Sequence, residues 1–235
     1  MISHNYRCIF LHIPKCAGTS VETALGHTAL VGDHSESGGV KRNSQDHRPL
    51  RLLEKPFPLI AACARQNREL FVRQLAKRLL NRNREPANPN NRLVVDREQY
   101  TNYYKFTIVR NPWARLLSVY KNIERDPVHR EQMGLHTMPP LMDFLKSGVG
   151  GVFVYPQTYW LKDCHGNMPL DFIGRFENLK ADWDTIRQHL GAPKLTLPHN
   201  LNRGARDYRD AYSSQARSFV EAKYEEEIEL FEYSF

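Results

Sequence analysis

None of the four cysteines (Cys8, Cys16, Cys63, Cys164) stands in a CxxC pair or at zinc-ligand spacing. That absence removes zinc ribbons and dithiol chemistry, and a reduced compartment is the simplest reading. Long apolar runs are also missing: the N-terminal run from Cys8 to Ile13 is short and follows polar residues. The expectation is therefore no signal peptide, no integral membrane segment and a cytoplasmic location. No G-x-G-x-x-G and no G-x-x-x-x-G-K-[ST] occurs, which excludes a dinucleotide fingerprint and an ordinary ATP-binding loop. The chain shows no internal repeat, no long low-complexity tract and no metal-ligand cluster, so no metal is expected.

With 235 residues and 41% hydrophobic content, the chain is long enough to bury a proper core. The economical organisation is one domain over 1–235, with a basic helical and loop insertion around 56–98. Thirty-three Lys and Arg against 26 Asp and Glu give a formal charge of +7, which favours a polyanionic partner without choosing among nucleotide, nucleic acid, acidic polysaccharide or membrane surface.

Strands and helices alternate. "YRCIFLHI" and "YKFTIVR" are nearly continuous apolar runs, as expected of strands covered on both faces, and "LDFIGRF" reads similarly. Helix signals follow each run. Thr19-Ser20-Val21-Glu22 has the form of a capping box, Asn111-Pro112 puts a cap before proline at the first helical position, and "ENLKADWDTIRQHLG" ends at Gly191. The fold class is α/β, a central parallel sheet flanked by helices. A separate segment, Ile60 to Leu80, has helical spacing and a basic surface from Arg65, Arg68, Arg73, Lys77 and Arg78, and runs into the polar "NRNREPANPNNR".

Two stretches carry chemistry. In "HIPKCAGTSVE" a strand ends at a loop containing Gly18 and enters a helix at Thr19, presenting backbone N–H groups and the charge of Lys15 to an anion above the sheet. In "FTIVRNPWARLLSVY" Arg110 ends a strand, Trp113, Leu116, Leu117 and Tyr120 make the buried stripe, and Ser118 lies two turns into the helix on another face. Arg110 and Ser118 can converge on a second anion. Two anion sites at parallel strand ends suit a nucleotide with two separate phosphate clusters.

These residues resemble a known family. "HIPKCAGTS" is similar to the 5′-phosphosulfate loop, and "FTIVRNPWARLLSVY" to the 3′-phosphate motif, of the Golgi-type carbohydrate sulfotransferases (sulfotransferase family 2, the group with heparan sulfate 2-O- and chondroitin/dermatan sulfotransferases). "DFIGRFENL", "LPHNLNRGARDYRDAY" and "EIELFEYSF" resemble later blocks of bacterial members. The resemblance implies a P-loop-like sulfotransferase fold and 3′-phosphoadenosine 5′-phosphosulfate as donor. It implies a carbohydrate acceptor, an acidic polysaccharide being one form of it, with no nucleic acid partner. Lys15 would neutralise charge on the leaving 5′-phosphate, within a cradle of Cys16, Ala17, Gly18, Thr19 and Ser20. Arg110 and Ser118 would hold the 3′-phosphate, with Arg203, Gly204 and Arg206 of "NRGARDY" as further contacts. The family's base lies between the two motifs, where this chain offers His27, His34 and His47. "QDHRPLRLL" matches best, so His47 is the expected base and His34 the second candidate.

Arg175 and Glu177 of "IGRFE" fit an ion pair at the strand's exit, and His129, His136, Gln157 and Tyr159 fall where an acceptor lid would form. Two other classes compete. A nucleotide or polynucleotide kinase shares the sheet and the anion loop but needs a Walker lysine and a metal-holding acid. A nucleic-acid-binding module explains the charge but not two anion motifs at strand ends.

Overall fold

A computed structural model describes residues 1–27, 45–53, 88–163, 165–198 and 207–235. The basic segment with Arg65, Arg68, Arg73, Lys77 and Arg78 lies outside the described residues, as do His34, Cys63, Cys164, Arg203, Gly204 and Arg206.

The three apolar runs form the expected strands: β2 (Cys8–Leu11), β3 (Tyr104–Val109) and β4 (Phe172–Arg175). All three are parallel, with Phe10 opposite Phe106 and Val109 opposite Arg175. A two-residue strand, β1 (Ile2–Ser3), adds an antiparallel edge on β2, so the sheet is mixed, in the order β1-β2-β3-β4. Two residues are too few to leave a period in a sequence.

Alternation along β2 explains its unbroken apolar run. Cys8 and Phe10 join one core with Phe106, Ile108, Trp183 and Ile186, while Ile9 and Leu11 join another with Leu50, Leu53, Trp160 and Phe231. Both faces are covered.

Among the described residues the helices are α1 (Gly18–Ala24), α2 (Arg97–Asn102), α3 (Pro112–Arg125), α4 (Pro127–Gln132), α5 (Leu141–Ser147), α6 (Thr158–Leu161), α7 (Leu179–His189), α8 (Ser214–Lys223) and α9 (Glu225–Leu230). Asn111 caps α3 as its sequence predicts, accepting from the Ala114 N–H at 3.2 Å with Pro112 at the first position. Beyond α7, Gly191 takes φ 64°.

The buried stripe of α3 is shifted from the expected one. Trp113, Leu116, Val119 and Ile123 pack on Phe144, Val154, Val220 and Tyr224, whereas Leu117 and Tyr120 are only half-buried. The shift follows from α3 lying against α5 and α8, which no local pattern announces.

The capping box at Thr19 does not form. Helix α1 begins at Gly18 after Ala17, without a side-chain cap. Glu22 is fully buried instead: its Oε1 lies 2.8 Å from His12 Nδ1 and accepts from the Asp46 N–H at 3.1 Å. A buried carboxylate needs a cationic or donor partner, and the histidine at the end of β2 supplies a better one than the helix's own first turn.

Candidate functional site

The parallel strands β2 and β3 end side by side, and the loop after each carries a cation. In open α/β sheets this is the edge where ligands bind. The loop after β2 is strained: Lys15 has φ 69° and Ala17 φ 61°, a left-handed conformation that costs a non-glycine residue about 1–2 kcal/mol. Gly18 is required for another reason, because a Cβ there would stand 1.8 Å from the His12 ring. The loop is thus packed down on an imidazole that Glu22 holds in place.

Lys15 and Arg110 meet. The Arg110 guanidinium donates to the Lys15 carbonyl at 3.2 Å and lies over the Phe176 ring, 4.1 Å from its centre. Its Nε is buried with no hydrogen-bond partner among the described residues. Lys15 Nζ donates to Asn122 Oδ1 at 3.0 Å. Asn122 is one turn beyond Ser118 on the same face of α3, so the Ser118 hydroxyl is on the side of Lys15. Ser118 itself is half-buried.

The other loop residues divide. Thr19 receives a hydrogen bond from Gln45 Nε2 at 2.5 Å, and Ser20 is buried. The Cys16 thiol points away from the loop's mouth, 3.4 Å from Gln157 Oε1, and burial pushes it up to about 12. Only the backbone of Cys16 is left to meet a ligand.

His47 is placed close by. Its Nδ1 lies 3.1 Å from the His12 carbonyl, its Nε2 lies 3.1 Å from Gln45 Oε1, and its ring centre is 4.2 Å from that of His12. Both ring nitrogens stand against protein oxygens, and a neutral imidazole carries one N–H, so it donates to one of the two. Burial, and then the neighbouring His12 ring, push His47 down to about 3. The folded protein therefore binds fewer protons than the unfolded chain between pH 3 and the ordinary histidine value of 6.5. Stability is full above about 6.5 and falls as pH drops through that window. The depressed carboxyls of Asp46 and Glu22 act lower, as pH falls below their ordinary values of 3.8 and 4.5. We expect the Tm of the parent to fall between pH 7 and 5 and that of His47→Gln to fall less; equal slopes would show that His47 carries no such penalty.

Of the other histidines, His27 is buried against Asn91, 3.2 Å from its Oδ1, and His136 is exposed. Arg175 and Glu177 lock the strand's exit, though not with each other. Arg175 donates to the Phe231 carbonyl at 2.6 Å, while Glu177 accepts from the Asn111 N–H at 2.7 Å and the Tyr233 hydroxyl at 3.1 Å.

Gln157, expected at an acceptor lid, is instead part of a clamp behind the site that the sequence did not show. Gln157 is fully buried; its Oε1 accepts from the Arg110 N–H at 2.9 Å and its Nε2 donates to the Arg110 carbonyl at 2.8 Å. Glu227, also fully buried, takes the Gln157 backbone N–H and its Nε2. Arg115 spans the same region, donating to the Phe153 and Tyr155 carbonyls at 3.0 and 2.7 Å. Asn122 was missed too, and a signal existed: it repeats the polar stripe of Arg115 and Ser118 at helical spacing.

Among the described residues no group of three or more His, Cys, Asp or Glu could hold a metal, and no helix is long and apolar enough to cross a membrane. A sequence model described as the sulfotransferase family matches residues 1–140 and 155–234. No curated protein and no solved structure matches the chain.

Proposed function

The chain belongs to the sulfotransferase family, and from that premise we propose that it moves a sulfuryl group from 3′-phosphoadenosine 5′-phosphosulfate to a hydroxyl of a carbohydrate. The observation that carries this reading is the junction of the two motifs: Arg110 donates to the Lys15 carbonyl at 3.2 Å, so both cations stand at one edge of the sheet. A donor with phosphates on both sides of its ribose suits that pair. The orphaned Nε of Arg110 supports the fit, because a buried donor without a partner costs about 1–3 kcal/mol and an adjacent anion removes that cost.

The bound donor supplies the sulfuryl group. Lys15 meets the charge that grows on the 5′-phosphate as the sulfur–oxygen bond breaks, and the backbone from Cys16 to Thr19 cradles that group. Arg110 and Ser118 take the 3′-phosphate. Cationic side chains and N–H donors suit this chemistry because a sulfuryl group in transfer carries less negative charge than a phosphoryl group.

Two measurements test the reading. Label from a donor carrying radioactive sulfate should appear on a uronic-acid polysaccharide such as chondroitin or heparosan; label that stays on the nucleotide with every carbohydrate tried counts against it. Arg110→Ala should lose most of the parent's preference for 3′-phosphoadenosine 5′-phosphate over adenosine 5′-phosphate. For a charge-assisted contact that loss is about 1.5–3 kcal/mol, roughly ten- to a hundredfold in affinity. A variant that keeps the parent's preference would move the 3′-phosphate to another site.

A further inference from the structure

The stripe of α3 that carries Ser118 and Asn122 continues the donor site toward α4. Lys15 Nζ donates to Asn122 Oδ1 at 3.0 Å. An ammonium can only donate, so the carboxamide oxygen is the end that faces Lys15. Its other end, Nδ2, therefore faces His129, 3.5 Å from Nδ1. An amide nitrogen likewise can only donate. The nearer nitrogen of His129 is thus the bare one, and the single proton of the neutral ring sits on Nε2.

The backbone N–H of His129 donates to Asp126 Oδ1 at 3.1 Å, and its half-buried ring stands edge-on to Phe153, with centres 5.6 Å apart. The same Phe153 ring meets His47 at 6.0 Å. His129 Nε2 makes no hydrogen bond among the described residues, whereas both nitrogens of His47 lie 3.1 Å from protein oxygens.

Resting on the reading above, we propose that His129, rather than His47, takes the acceptor's proton, and that Asn122 readies it only when the donor is in place. In the free protein Nε2 bears a proton and has no lone pair to offer. When Lys15 Nζ turns to a donor oxygen, Asn122 loses the charge that fixed its oxygen, and its amide rotates to accept from His129. His129 then carries its proton on Nδ1 and leaves Nε2 bare. During transfer, Nε2 receives the proton of the acceptor hydroxyl as that oxygen bonds to sulfur. The bond from sulfur to the 5′-phosphate oxygen breaks, its electron pair stays on the phosphate beside Lys15, and the proton remains on the imidazolium. An unloaded loop thus faces no base, and loading the donor creates one. His47 serves the loop instead, through Gln45 and Thr19.

The test reads tautomers directly. Imidazole nitrogen shifts of His129, assigned by their loss in His129→Gln, are recorded near neutral pH in the free protein and in protein saturated with 3′-phosphoadenosine 5′-phosphate, with binding checked by calorimetry. The expected result is a proton on Nε2 in the free protein and on Nδ1 in the loaded one, with no such change in Asn122→Leu at saturating nucleotide. The same tautomer in both states, or a switch that survives in Asn122→Leu, overturns the proposal. With labelled donor and mixed heparosan and chondroitin as probe, His129→Gln should lose about a hundredfold or more in transfer while binding nucleotide as the parent does; transfer at the parent's rate also overturns it. If the parent binds no nucleotide, the donor reading fails instead, and the tautomer in the free protein still decides whether Asn122 sets His129.

Discussion

Replacing Lys15 with Ala should cut sulfuryl transfer about 10²- to 10³-fold while weakening binding of the product nucleotide far less. The asymmetry follows from where the ammonium stands. In the free protein Lys15 Nζ is already satisfied by Asn122 at 3.0 Å, so exchanging that contact for a ground-state phosphate oxygen gains little. With the proposed donor, charge accumulates on the leaving phosphate only in the transition state, and a preorganised cation is worth most there. The left-handed backbone at Lys15, φ 69°, is a cost the fold bears to hold that cation at the mouth of the sheet. Turnover and equilibrium binding measured on the same variant decide the matter. A loss confined to affinity would show that Lys15 only positions the donor.

The second large effect is on stability. Gln157→Leu is close in volume but removes both ends of an amide that holds the Arg110 N–H at 2.9 Å, the Arg110 carbonyl at 2.8 Å and the Glu227 carboxylate at 3.2 Å. Leaving these groups buried and unpaired costs about 1–3 kcal/mol each, on the order of 3–5 kcal/mol together once partial relaxation is allowed. At roughly 2–4 °C per kcal/mol for a chain of this size, Tm should fall by about 10 °C. Glu227 aggravates the loss, because burial already pushes its carboxyl up and the Gln157 contacts work against that push. A Tm within a degree or two of the parent's would mean that the Arg110 backbone finds other partners and that Gln157 is no clamp.

The two cations of the site were legible because each follows an apolar run that could only be a covered strand, and strand ends on one edge of a parallel sheet must lie together. The proline after Asn111 fixed the start of α3 for an equally local reason. Glu22 misled because its spacing from Thr19 fits a capping box, while its actual partner, His12, faces it only once β2 and α1 are packed. Glu227 left no mark and Gln157 was read as part of a lid, because their pairing joins residues 70 apart and neither interrupts a pattern. Asn122 lay within reach of a helical wheel once Ser118 was singled out. His129 was named only as part of a lid, since its approach to Asn122 depends on α4 turning back immediately after Asp126.

The donor claim stands or falls on the phosphate that an ordinary nucleotide lacks. Isothermal calorimetry on the unmodified protein should find 3′-phosphoadenosine 5′-phosphate bound at least about tenfold more tightly than adenosine 5′-phosphate, the preference expected of one charge-assisted contact from Arg110. Equal affinity for the two nucleotides, or tighter binding of ATP than of either, would contradict the account.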